Sequence, residues 1–168
     1  MTAIGSERFM VRSVQPSDAG AWLELRTALW PGSKVKHADD IKRFFDGRAR
    51  EPLAAVIAIT TSGSAIGLVE LSIRAYAEGC ETDRVAFVEG WYVRPEARGQ
   101  GVGRALIRSA EQWATRQGCT ELGSAAEADN AGSAAAHRAV GFTDAGLVRC
   151  FRKDLELSAP NGRIRPTD

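Results

Sequence analysis

Runs of apolar and polar residues alternate along this chain with periods that predict a layered α/β domain. Residues 8–14 read as a short strand. Gln15-Pro16-Ser17-Asp18 is a helix-start signal, and the helix over 19–29 carries Trp22, Leu25 and Leu29 on one face. Trp30-Pro31-Gly32 stops it, and residues 37–48 form a second amphipathic helix with Ile41, Phe44 and Phe45. Residues 53–60 and 65–76 are two strands joined by a Thr61-Ser62-Gly63-Ser64 turn. After a polar loop over 78–84, the apolar run 85–93 is a buried strand. A helix follows from Val102, with Leu106, Ala110, Trp113 and Ala114 on its core face. A strand over 120–125, a short helix over 133–140 and one or two strands within 142–155 complete the order β-α-α-β-β-β-α-β-α-β. One domain over 1–156 is expected, with a frayed polar tail at 157–168.

Between the central strand and its helix lies Arg98-Gly99-Gln100-Gly101-Val102-Gly103. Glycines let the backbone approach a ligand closely, and free N–H groups at a helix start attract anions. Arg98 and Arg104 flank the turn and can pair with phosphate, so a diphosphate is the natural guest. The Walker pattern is excluded, because Gly103-Arg104-Ala105 stands where Gly-Lys-Ser/Thr is needed. The dinucleotide spacing G-x-G-x-x-G does not fit either.

Composition narrows the partners. At 168 residues, 44% apolar and 26% charged, the chain has the balance of an ordinary globular protein of one domain. A net charge of +1 gives no reason to expect nucleic acid. No apolar run approaches a membrane span, and the first ten residues lack a signal-peptide core, which makes a cytoplasmic protein the expectation. Cys80, Cys119 and Cys150 match no zinc pattern, so no metal is expected, and their odd number suggests reduced thiols.

Glu89 is the one charge inside the central strand. A carboxylate there is costly unless it is used or paired, which makes it either a general base or the partner of an arginine such as Arg74. From residue 94 to 116 five arginines face two glutamates, while from 70 to 89 five acids face two arginines. The first run suits a phosphate-bearing ligand; the second suits a cationic one if the acids converge.

The glycine turn, preceded by Tyr92-Val93-Arg94-Pro95, resembles the R/Q-x-x-G-x-G/A acyl-CoA signature of the GCN5-related N-acetyltransferases. That resemblance implies acetyl-CoA as cofactor and a mixed, mostly antiparallel α/β (α+β) sheet flanked by helices and splayed at the cofactor site. It assigns Tyr92, Val93, Arg98, Gly99, Gln100, Gly101, Val102, Gly103, Arg104, Asn130 and Ser133 to the cofactor. Backbone N–H groups near 91–93 are implied as donors to the thioester oxygen. Asn130 and Gly141-Phe142 match the family, while His137 stands where a proton-donating tyrosine is usual. The imidazole is either a proton donor or a contact to the cofactor.

A wider span, about residues 10–153, resembles the aminoglycoside 6'-N-acetyltransferases of that superfamily. Leu29-Trp30-Pro31, Ser72-Ile73-Arg74, Tyr76 and Phe87-Val88-Glu89-Gly90-Trp91 carry the likeness. It implies direct transfer in a ternary complex, with Trp30 and Tyr76 lining a sugar cleft and Glu89 facing the amine. Members often form dimers, so a homodimer is among the expectations. One departure stands out: Ser124-Ala125 replaces the usual Ser-Asp, whose aspartate contacts the substrate's amines. Losing such a contact costs roughly 1.5–3 kcal/mol. Glu127 would compensate if the strand continued to it, since residues two apart share a strand face. Acetylation of a polyamine, a metabolite amine or a protein N-terminus, and a non-catalytic acyl-CoA-binding module, are the alternatives.

Overall fold

The computed structural model describes residues 8–155. The tail expected over 157–168 lies outside them. A five-stranded sheet runs in the order β1 (Phe9–Ser13), β2 (Ala54–Thr60), β3 (Ala65–Arg74), β4 (Val85–Val93), β5 (Leu122–Ser124). The first four strands are antiparallel neighbours, and β5 joins β4 in parallel. The mixed, mostly antiparallel sheet is the one expected.

Both faces are covered, which is why the strands read as near-continuous apolar runs. Alternate residues take opposite sides. Val56, Ala58, Val69 and Leu71 pack under Leu106, Ile107 and Ala110 of α3 (Val102–Arg116). Ala55, Ile57 and Leu68 pack against Trp22 and Leu25 of α1 (Ala19–Leu29) and Ile41 of α2 (Lys34–Phe45). Phe44 and Phe45 meet Trp22 edge to face at 4.9 and 5.7 Å. The α2 helix starts three residues earlier than its periodicity suggests, because Ser33 accepts the Lys36 N–H and caps it.

Two features place the site. The β3–β4 ladder slips between Glu70 and Leu71: Glu70 faces Gly90 and Leu71 faces Val88, so Glu89 is the extra residue of a bulge. Beyond it, β4 and β5 part. Only Ala86, Phe87 and Val88 have β5 partners, so the outer edge of β4 is open from Glu89 onward.

The strands expected within 142–155 are absent. Gly141 turns the chain at φ 103° after α4 (Ala131–Ala139), and Phe142 folds back onto the helix end through its N–H to the His137 carbonyl. The segment then crosses the 78–80 loop at Gly79, where a Cβ would lie 2.2 Å from that of Ala145. Among the described residues it pairs with no sheet edge, so no ladder forms. Leu147, Val148, Phe151 and Leu155 are left exposed.

Candidate active site

Glu89 is half-buried and tightly held. Its Oε1 accepts from the Ser72 hydroxyl and from Arg74 Nε at 3.0 Å, and its Oε2 accepts from Arg74 Nη2 at 2.7 Å. The Arg74 guanidinium lies 3.6 Å above the centre of the Phe87 ring. Of the two readings of this carboxylate, the arginine pair is therefore present in the structure. Glu70, Ser72 and Arg74 alternate along β3 with Glu89 across from them. That polar period inside an otherwise apolar strand was the sequence signal for a role of Ser72, which was quoted in a motif but assigned none.

Next to Glu89, Gly90 is a contact point. A Cβ there would lie 2.6 Å from Trp30 Cη2 and 2.9 Å from Leu29 Cδ2, so only a glycine admits the indole. Trp30 closes α1 as its C-terminal cap and remains partly exposed beside the bulge. Glu70, opposite Gly90, is buried, and burial pushes its carboxyl up while Arg26 and the Trp22 indole pull it back. Tyr76 lies past the end of β3, two residues beyond Arg74, rather than on the expected strand. Its hydroxyl donates to Glu78 at 2.7 Å, which pushes the phenol up.

The glycine turn has the shape of an anion cradle. Gly99 and Gly101 adopt φ of 74° and 84°, and a Cβ on either would project into open space, where a ligand can approach. Gly103 serves packing instead: its Cβ would sit 2.9 Å from the Trp91 ring. Arg98 Nε donates to the Val93 carbonyl at 3.0 Å and Gln100 Nε2 to that of Glu96 at 2.9 Å, which fixes the turn. Val102 is buried at the first turn of α3, and Tyr92 and Val93 end β4 on its open edge. Arg104, expected on phosphate, has Nη2 on the Ala139 carbonyl at 2.7 Å and ties α3 to the end of α4. These residues fit a diphosphate: a glycine bend with free space, a helix start and arginine at its rim.

Asn130 caps α4, accepting the Ser133 N–H at 2.9 Å. His137 Nδ1 lies 2.7 Å from the Ser133 carbonyl, which can only accept, so Nδ1 carries the proton. In the neutral ring, Nε2 then accepts from the Ser124 hydroxyl at 2.8 Å. Trp91 and Phe142 flank the imidazole edge to face, each at 5.2 Å. Ser124 pairs in register with Val88, so this relay stands where β4 and β5 part.

Glu127 departs from expectation. β5 ends at Ser124, and Glu127 is exposed in the following turn, its carbonyl accepting the Asn130 N–H. The strand-face relation to Ala125 does not hold, because β5 ends at Ser124 and the chain turns from Glu127 to Asn130. Glu121 accepts the Glu81 and Thr82 N–H groups and the Thr82 hydroxyl, which hold its carboxyl below the usual range. Among the described residues no cluster suits a metal ion, and no helix is long and apolar enough to cross a membrane.

A splayed mixed sheet with a glycine turn at the mouth of its central helix defines an acyl-CoA acyltransferase. The chain belongs to the acetyltransferase (GNAT) family, whose profile matches residues 20–142. It is 49% identical over 147 residues to an aminoglycoside N(6')-acetyltransferase type 1 of Klebsiella aerogenes, spanning 87% of this chain and 97% of the relative. An enzyme of the same name from Stenotrophomonas maltophilia is 38% identical over 150 residues, spanning 89% and 95%. Among solved structures, AAC(6')-Ih of Acinetobacter baumannii superposes with a TM-score of 0.82 at 34% identity, covering 89% of this chain and all of that one (100%). AAC(6')-Iy, bound to a bisubstrate analogue joining CoA to acetylneamine, gives 0.81 at 33%, covering 88% and 99%.

Proposed function

We propose that this protein transfers the acetyl group of acetyl-CoA to the 6'-amine of an aminoglycoside, directly within a ternary complex. The observation that carries the reading is Glu89 at the bulge where β4 leaves β5, with the Trp30 indole on the adjacent Gly90. Acetyl-CoA, when bound, supplies an acetyl thioester for an unprotonated amine to attack. Glu89 binds the substrate's ammonium in competition with Arg74 and accepts its proton. N–H groups on the open edge of β4, near residues 91–93, are the donors to the oxygen that gains charge. His137, as an imidazolium, would give its Nε2 proton to the sulfur that departs as the carbon–sulfur bond breaks, the Ser124 hydroxyl releasing Nε2 while Nδ1 keeps its bond to the Ser133 carbonyl. Gly99, Gly101 and Arg98 hold the diphosphate, and Asn130 and Ser133 shape the start of α4 beside the cofactor's arm. Trp30 and Tyr76 line the substrate cleft, and Glu127 contributes from its rim. Direct transfer is supported at the sheet, where Cys119 is buried and burial pushes the Cys80 thiol up, away from an active nucleophile; the third thiol, Cys150, is exposed on the C-terminal segment.

The test is thiol release from acetyl-CoA with paired aminoglycosides bearing a 6'-amine or a 6'-hydroxyl. Fast release with the amine set alone is expected. Ala125, exposed at the end of β5, favours a second reading in which another amine is the physiological substrate. In that case polyamines or small metabolite amines outrun both aminoglycoside sets.

The unpaired segment also supports a homodimer. Leu147 at 81% and Phe151 at 88% exposure are apolar surface on a segment that pairs with no strand of the described residues, which a second copy would cover. Light scattering is expected to give a dimer for the intact protein and a monomer for Phe151→Asp.

A further inference from the structure

Two residues of α1 one helical turn apart, Trp22 and Arg26, converge on the buried Glu70 carboxylate, and one turn further on stands Trp30, the helix cap. Trp22 Nε1 donates to Glu70 Oε1 at 2.6 Å. Arg26 Nη1 lies 3.6 Å from the same oxygen, and Arg26 Nη2 is 3.4 Å from Asp40 Oδ2 on α2. The Arg26 guanidinium carbon is 5.5 Å from the centre of the Trp30 ring, and the Trp30 N–H bonds to the Arg26 carbonyl at 2.9 Å. The spacing i, i+4, i+8 makes these side chains neighbours on one stripe.

Trp30 needs such a neighbour. It ends its helix at φ −124° and ψ 88° before Pro31, the residue is 36% exposed, and on the sheet side it rests on Gly90, a residue with no side chain. Gly90 meets only the Cη2–Cζ2 edge of the indole, so what fixes the ring must come from its other neighbours. The Arg26 guanidinium is the planar group among them, and its side chain is only 11% exposed. Among the described residues its Nε and Nη1 make no hydrogen bond, so charge and packing set its place: two carboxylates behind, an indole in front. Glu70 is 1% exposed and anchored by Trp22, so it cannot follow if the arginine moves.

We propose that Arg26, clamped between Glu70 and Asp40, is a positioning residue that holds the Trp30 indole as a fixed wall of the amine site beside Glu89. This rests on the reading of Trp30 and Glu89 as the substrate cleft. It extends that cleft to residues that touch neither substrate nor cofactor. A planar, delocalised cation is required; an ammonium at this position keeps the charge balance but offers the ring no flat face.

The experiment labels the four tryptophans with 5-fluorotryptophan and assigns Trp30 by its loss in Trp30→Phe. Fluorine spectra are then compared for wild type, Arg26→Met and Arg26→Lys, alongside steady-state kinetics with a 6'-amino aminoglycoside. In both variants the Trp30 resonance is expected to shift and broaden, while the Trp113 resonance stays in place. The amine KM should rise about tenfold in Arg26→Met, with the acetyl-CoA KM unchanged. In a Trp30→Ala background the same substitution should add little. Arg26→Lys retains the counter-charge for Glu70 and Asp40, so it reports even if Arg26→Met folds poorly. An unmoved Trp30 resonance, or a penalty equally large without the indole, overturns the proposal. Absence of turnover by the wild type with every aminoglycoside would instead refute the proposed substrate, and the fluorine spectra would still decide the role of Arg26.

Discussion

Glu89 and Arg74 form a two-point ion pair, with Nη2–Oε2 at 2.7 Å and Nε–Oε1 at 3.0 Å, at the one slip in the β3–β4 ladder. A planar guanidinium satisfies both carboxylate oxygens at once, so a substrate ammonium must compete with it. Glu89→Gln keeps the size and the Ser72 contact but removes the charge. We expect kcat/KM for the amine to fall about 100-fold or more, with acetyl-CoA binding unchanged by calorimetry.

The contact between Trp30 and Gly90 predicts a steric effect. Gly90→Ala places a methyl group 2.6 Å from the indole, closer than carbon atoms tolerate. The ring must leave its seat. The expected outcome is a raised KM for the amine and a stability loss of about 1–3 kcal/mol by urea unfolding, with the acetyl-CoA KM preserved.

Gly101 predicts the opposite selectivity. A side chain there meets nothing within the protein, so Gly101→Ala acts through backbone strain at φ 84° and by filling the cradle. A stability cost of about 1–2 kcal/mol is expected. Acetyl-CoA affinity should fall by about tenfold or more, measured by calorimetry, while amine binding stays close to wild type.

The Ser124–His137–Ser133 relay separates two roles. If His137 delivers a proton, His137→Gln removes that ability and should lower kcat about 10- to 100-fold. Ser124→Ala removes only the hydroxyl that donates to Nε2, and kcat should stay within about threefold. Equal losses in the two variants would instead mark the imidazole as a packing group between Trp91 and Phe142.

At the N-terminal end, Asp18 accepts two bonds from Arg12, at 2.6 and 2.9 Å, and one from the Gln15 N–H at 2.7 Å. These partners, Arg12 first, hold its carboxyl below the usual range. The folded state is therefore the weaker proton binder. Its stabilisation is fully present above the unfolded carboxyl value of about 3.9 and is lost as pH falls through the lower folded value. Asp18→Asn should cost about 1–2 kcal/mol at neutral pH. The difference from wild type should shrink in denaturation curves taken below about pH 4.

The chain's order of apolar runs determined the strands, the helices α1 and α3 and the glycine turn, because each is specified by local periodicity and backbone freedom. Glu89 was legible for the same reason: a charge stands out inside an apolar strand. What it faces was decided by the ladder slip at Glu70, which no local pattern encodes, since a bulge depends on how two distant strands register. The stripe Trp22–Arg26–Trp30 was present in the sequence, but its meaning needed Glu70 from β3 and Asp40 from α2 to arrive behind it. Glu127 failed as a strand neighbour of Ala125 because β5 ends at Ser124, where its ladder with β4 stops, and the chain then turns from Glu127 into the start of α4. The C-terminal residues 142–155 show the limit most clearly. Their composition suits a strand, yet a strand exists only where another edge supplies its hydrogen bonds, and among the described residues no sheet edge pairs with this segment. Local chemistry settled the elements; the meeting of distant segments settled the site.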